Sequence, residues 1–258
     1  MSAPAQVARQ VRFINKAFWR NPPAAFFTFA FPLLFLVIFT TLFGRSGQLE
    51  INGNRVSVAT FYVASISVFS VITACYTNTA MTLTFARELG ILKRIRGTPL
   101  PGSVYLASRV VHSIAIAILL VVICLVFGMA FYDVRVPASS LPAMLVTLAV
   151  GSATFCALGL AVTTIVPNAD AAPAVVNATI LPLLFISDVF IPMQNPPEWV
   201  DVIGKVFPVR HFSDAMQYAF FPPAGSSGLV IESLAVMAVW GLASLLVAAR
   251  RFSWEPKK

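Results

Sequence analysis

Charge is what this sequence has least of. Only 11% of its 258 residues are Asp, Glu, Lys or Arg, 58% are hydrophobic, and the mean hydropathy is +0.84. A soluble domain carries roughly 25% charged residues, so a soluble globular fold is excluded and an integral membrane protein is indicated. Base exceeds acid, 18 residues against 10, but the cations lie in loops and tails between apolar runs. No basic face is continuous enough to follow phosphates, so nucleic acid is excluded as a partner. The three cysteines, Cys75, Cys124 and Cys156, all sit inside apolar runs, which argues against a disulfide framework or a thiolate metal site. The two histidines, His112 and His211, fall on opposite sides of the topology derived below, so metal-ligand clustering is absent too.

Chemistry of its own is equally scarce. No Gly-x-x-x-x-Gly-Lys-Ser/Thr pattern occurs; Gly204-Lys205 is followed by Val206, so the chain lacks a phosphate-cradling loop. Gly225-Ser226-Ser227-Gly228 matches a serine-protease spacing, but no histidine follows in a later span to act as base. A carrier coupled to an ion gradient places ionisable residues near the bilayer centre, and the apolar runs here are almost free of them. The energy for any transport therefore comes from outside the chain.

What is present is a charged island in an apolar sequence. Ala86 to Leu100 holds Arg87, Glu88, Lys93, Arg94 and Arg96 between charge-free runs from Val56 to Ala86 and from Ser113 to Tyr132. Short loops rich in Lys and Arg stay on the side where the chain is made, so this island is predicted to be cytoplasmic. It is the handle by which a separate motor protein would move the membrane part.

Before it, Val7, Val11, Ile14 and Phe18 recur at helical spacing between Gln6 and Arg20, with Arg9, Arg12, Asn15, Lys16 and Arg20 on the other side. The pattern predicts an amphipathic helix on the membrane surface, either a simple anchor or a second contact for the motor. Asn21-Pro22-Pro23 ends it. Ala24 to Gly44 is the first predicted span, 21 uncharged residues that at about 1.5 Å each match a hydrocarbon core of about 30 Å. It is too long for a signal peptide and lacks a small-x-small cleavage site. Pro32 is expected to kink it, and a turn-rich hairpin from Arg45 to Arg55 follows.

The second span begins near Val58, longer than the bilayer requires, and its later part carries Tyr76, Thr77, Asn78, Thr79, Thr82 and Thr84. That polar stripe either packs against other helices or lines a route for substrate. Arg109 and His112 open a third span running to Tyr132, His112 being an interfacial residue or a proton site. Asp133 and Arg135 mark a turn, and Val136 to Ala169 supplies the fourth span, in which Gly151, Ala153, Ala157, Gly159 and Ala161 allow another helix to approach closely. Ala171 to Ser187 is the fifth, with Pro173, Pro182 and Asn177. Prolines divide Asp188 to Gly228 into pieces too short to cross, which reads as re-entrant or interfacial helices. Leu229 to Ala249 is the sixth.

With both ends inside, the inner segments hold four Lys and Arg at the N-terminus, five from Arg87 to Arg109 and four at the C-terminus, against five outside. This bias favours six spans with both termini cytoplasmic. The expected fold is an all-α integral membrane protein in three parts: an amphipathic helix (1–23), a six-span domain (24–250) and a basic tail (251–258).

Glu88-Leu-Gly-Ile-Leu-Lys-Arg-Ile-Arg-Gly-Thr-Pro-Leu100 resembles the signature of the ABC-2 type transporter permeases, membrane subunits of bacterial ATP-binding-cassette exporters, especially the drug-export type. Val166 to Pro173, Phe190-Ile-Pro192 and Pro208-Val-Arg-His-Phe212 fit the same group. The resemblance implies a coupling helix at about 87–100 between spans two and three, and re-entrant helices at about 188–228. It also implies a dimer of permeases, identical or paired with a homologue, on separate ABC ATPase subunits. Arg87, Glu88, Gly90, Leu92, Lys93, Arg94 and Arg96 would then belong to the coupling helix and its approach, with Leu92 a buried anchor in the motor. One departure is Asp188, where relatives more often carry a small residue; a carboxylate there would attract a cationic substrate or simply stay hydrated.

The expectation is a non-catalytic permease in the bacterial plasma membrane that exports a lipophilic or amphipathic compound, such as a drug, antibiotic or natural product. It binds no cofactor itself; ATP and Mg belong to the ATPase. Candidate pathway residues are Phe26, Phe27 and Phe31 on the first span, Tyr76 and Asn78 on the second, Asn177 on the fifth, and Asp188. Export of a lipid-linked polysaccharide or another lipid is the rival within transport. A membrane enzyme or non-transporting scaffold is the rival outside it.

Overall fold

The computed structural model describes residues 2–43, 48–51, 54–192, 197–223 and 225–255. Apart from one two-stranded hairpin, the described elements are helices. The first, α1 (Ala3–Trp19), turns Ile14 inward and packs along α6 (Gly102–Tyr132) and, less, along α2 (Pro22–Phe43). Its cations stay exposed, as the amphipathic pattern requires. The α2 helix runs through Pro32 without a break and leaves Phe26, Phe27, Leu34 and Leu42 on the surface. Such a face suits lipid or another copy of the chain, not water.

Strands β1 (Gln48–Ile51) and β2 (Asn54–Ser57) form the hairpin expected between Arg45 and Arg55, with Leu49 opposite Val56. The glycines at and beside the predicted turn, Gly44, Gly47 and Gly53, lie outside the described residues. Ser57 then caps α3 (Val58–Ile72) by accepting from the Thr60 backbone N–H at 3.2 Å, which satisfies one orphan donor of the first turn.

The second span is the pillar of the molecule. It runs 31 residues from Val58 to Glu88 as α3, a π-turn at Thr73–Thr77 and α4 (Asn78–Glu88). From Phe61 to Ile72 every side chain is buried, because α2, α6, α7 (Leu141–Val162) and α10 (Pro208–Phe220) surround it. A helix apolar on all sides can accept neighbours on every face.

Among the described residues, five helices are long and apolar enough to cross a membrane: Pro22–Phe43, Val58–Glu88, Gly102–Tyr132, Ala138–Val162 and Ile231–Arg251. The last of these is α11. The remaining expected span, α8 (Ala172–Ile186), has 15 residues, about 22 Å at the helical rise and short of a core about 30 Å thick. The chain makes up part of the depth with a buried continuation through Ser187, Asp188, Val189 and Phe190. Two shorter helices follow, α9 (Glu198–Val206) and α10, matching the expected division of this segment. On α9, Lys205 approaches Asp201 to 2.6 Å and holds that carboxyl below its ordinary range. α10 is buried among α3, α7 and α11, with Phe212, Ala215, Met216 and Ala219 fully enclosed. This is a multi-pass, all-α membrane protein.

Candidate functional site

The charged island is smaller as a helix than its sequence suggests. α4 continues through Arg87 and Glu88, Gly90 turns the chain at φ 69°, and only Ile91–Arg96 forms the separate helix α5. A left-handed backbone is the reason for glycine at this corner. Nothing lies within 4 Å of where a Cβ would stand at Gly90, so space imposes no such demand.

Two residues assigned to the motor contact face the other way. Arg87 is 2% exposed. Its Nη1 donates to the Thr163 carbonyl at 2.9 Å, Nη2 to those of Val166 (2.9 Å) and Pro167 (3.4 Å), and Nε to Glu88 Oε1 at 3.0 Å. Its fork thus closes the end of α7 and the turn before α8, supplying donors to carbonyls that a helix end leaves orphaned. Leu92 is fully buried in a cluster with Leu83, Ala86, Tyr105, Leu160 and Ala248. That cluster joins α5 to α4, α6, α7 and α11, so the anchor expected in the motor is an anchor in the chain itself. The physical reason is the turn at Gly90, which lays α5 back against the bundle on its Leu92 side.

What remains outward is a compact patch. Lys93, Arg94 and Arg96 are exposed, and Leu89 and Ile91 stand beside them at 67% and 40% exposure. Sequence reasoning passed over both apolar residues, because the turned-out side of so short a helix is set by what its other side packs on. Glu88 is partly exposed at the edge, paired with Arg87.

The proposed pathway residues divide among separate places. Phe27, Phe31 and Asn78 line one cavity of about 250 Å³, bounded by Phe18, Pro32 and Leu120. Phe26 points outward, its ring edge-on to Phe27 at 5.5 Å. Tyr76 faces a different groove, where its hydroxyl shares a 2.5 Å hydrogen bond with Thr179 Oγ1. Asn177 and Asn78 are both exposed, on α8 and α4, which pack against each other. Thr82 Oγ1 donates to Asn78 Oδ1 at 3.1 Å, so the polar stripe is in part internally paired.

Asp188 is a nearly buried, ion-paired carboxylate. Its Oδ2 lies 2.9 Å from Arg210 Nη2, and Arg210 Nε reaches Asp214 Oδ1 at 3.3 Å. The backbone at Asp188 is left-handed, φ 55°, a conformation that a side chain makes costly. This ion network ties the end of α8 to α10, and its Arg210 already engages the Asp188 carboxylate.

Among known proteins, the family model described as ABC-2 type transporter matches residues 6–221. The chain belongs to the ABC-2 type transporter family. Relatives of this permease carry provisional transport-permease names. A ycf38 protein of Porphyra purpurea is 27% identical over 206 residues, 78% of this chain and 69% of its own length. The ycf38 protein of Cyanophora paradoxa is 27% identical over 209 residues, 79% and 69% of the two chains. YvfS of Bacillus subtilis is 24% identical over 151 residues, 58% and 61% of the two. The match makes this chain a transporter permease subunit, and membership of the family implies ABC ATPase subunits as its partners.

Proposed function

We propose that this permease is the non-catalytic membrane half of an exporter in the bacterial plasma membrane, both termini cytoplasmic, driven by ATP hydrolysis on a separate ABC ATPase. The observation that carries the reading is the outward patch on α5: Lys93, Arg94 and Arg96 around Leu89 and Ile91, on a helix whose other side is locked into the bundle. A lever needs one face to hold the motor and one to move the load. Exposed ion pairs alone contribute little, so Leu89 and Ile91 supply the burial that makes the grip persist through the stroke. Arg87 and Leu92 supply the rigidity behind it.

The load is a lipophilic or amphipathic compound, such as a drug, antibiotic or natural product. It passes along the face that carries Asn78 and Thr82 on the second span and Asn177 on α8. Amides exposed on membrane helices are costly against lipid. A second copy of the permease, or a homologue, facing the same surfaces would enclose them in a shared passage.

The test is co-expression with the ABC ATPase encoded beside this chain, comparing wild type, Leu89→Asp and Arg94→Glu. Both variants are expected to insert with unchanged melting temperature and to lose ATPase co-purification by about tenfold or more, the equivalent of 1.4 kcal/mol of grip, with ATP-driven efflux of a lipophilic dye falling in parallel. Unchanged assembly and efflux in both would overturn the reading. Glu88→Arg discriminates less well, because Arg87 lies 3.0 Å away and the change would disturb the brace itself.

A further inference from the structure

A deep apolar groove among the described residues has no part in the pathway just described. It runs between α7, α8 and α11, with a volume of about 600 Å³, and its outer end is closed by the elbow between α9 and α10. There Phe207 stacks on Trp240 at 5.5 Å, and the Trp240 indole N–H donates to the Val206 carbonyl at 2.8 Å. No ionisable group other than the Tyr76 phenol lines it, and that hydroxyl is already bonded to Thr179. A cationic or anionic head could not be held inside. A void of this size at membrane depth has to be filled, since unfilled apolar walls forfeit their dispersion contacts, and the filler at hand is hydrocarbon.

The floor of the groove shows which end the head would occupy. On α11, Trp240, Ala243, Ser244 and Val247 line it in order, a single stripe at spacings of three and four residues. The next members of that stripe by helical register are Arg250 and Arg251. Both are exposed and make no ion pair among the described residues. The apolar stripe therefore ends in two unengaged cations where α11 leaves the membrane.

We propose that this groove holds an acyl chain of an anionic phospholipid from the leaflet on the Arg250 side, with the lipid phosphate against Arg250 and Arg251. The chain fills the space under the α9–α10 elbow, and the two guanidiniums select the head. Because Thr179 forms the α8 wall of the groove, the bound lipid packs behind the helix that carries Asn177.

Trp240 is a built-in reporter. The full chain, with Trp19, Trp199 and Trp254 replaced by Phe, is placed in nanodiscs that contain acyl-brominated phosphatidylglycerol or acyl-brominated phosphatidylcholine at equal mole fraction. The phosphatidylglycerol is expected to quench Trp240 with a preference of about thirtyfold, the scale set by two cations at a membrane surface. Arg250→Gln with Arg251→Gln should abolish the preference while leaving quenching by either lipid. Ala243→Phe should abolish the quenching, and Ala178→Phe fills the groove from the α8 side should the first filler fail to fold. Equal quenching by both lipids in the parent chain, a preference that survives the double Gln change, or undiminished quenching in a folded filler variant would each overturn the proposal.

Discussion

Arg87 shows how a side chain grouped by sequence with a motor contact can have its partners inside its own chain. In the sequence it is the first cation after a long apolar run, and everything about its neighbourhood suggests a surface. In the fold, its guanidinium serves three carbonyls of the turn between α7 and α8 and one carboxylate. A buried carbonyl deprived of its donor costs about 1–3 kcal/mol, and Arg87→Ala orphans at least the two at 2.9 Å, those of Thr163 and Val166. The expected loss is about 2–6 kcal/mol, read as a lowered melting temperature of the detergent-solubilised chain. Arg87→Lys should recover less than half of it, because an ammonium on a flexible stem cannot span carbonyls that the planar fork reaches together. Full rescue by Lys would mean that the charge matters and the fork does not. Leu92 and Asp188 teach the same lesson: one packs inward in the chain's own cluster and the other is closed by Arg210, 22 positions later in the chain. Contacts at that separation leave no local mark in a single sequence.

At the scale of elements, far more was legible. Charge-free runs located the spans, the alternation of apolar and basic residues gave α1, and the prolines after Asp188 separated α9 from α10. The small residues of the fourth span were read as a site of close approach, and the structure gives that approach a partner. A Cβ on Gly159 would stand 2.8 Å from the Tyr76 carbonyl and 3.1 Å from that of Cys75, so α7 lies directly on the π-turn of the second span. The π-turn itself was not legible, because Thr73–Thr77 differs in no obvious way from the helix around it. It marks the change from the wholly buried stretch Phe61 to Ile72 to a half of the span that exposes Asn78. Gly159→Val must push backbone apart, with a cost of about 1–3 kcal/mol for overpacking. Gly159→Ala should be the milder of the two. The check is thermal stability of both variants beside ATP-driven efflux, where the π-turn, as a pivot common at functional sites, predicts that efflux falls further than stability alone explains.

The molecule as a whole is polarised. One end gathers α1, the α5 patch and the close of α11, all basic; the other gathers the hairpin, the turn at Asp133 and the α8–α10 ion network. The clusters explain why these ends cannot move independently: Leu92 and Ala248 share one core with Leu83 and Leu160, so a push on α5 reaches α4, α6, α7 and α11 together. Packed cores respond to such a push as near-rigid bodies because their side chains have few alternative arrangements. On the proposed coupling, the short α8, held by Arg87 at one end and by Asp188 at the other, is the element whose position such a push would reset. All of this requires the basic end to face the cytoplasm, where an ATPase can reach it. The three native cysteines are buried and leave a clean background for labelling. In intact cells, Arg135→Cys should react with a membrane-impermeant maleimide while Lys93→Cys stays unreactive, and in inside-out vesicles the pattern should reverse. Reaction at Lys93→Cys in intact cells would put the α5 patch on the side without ATP, and no motor could then drive this permease through it.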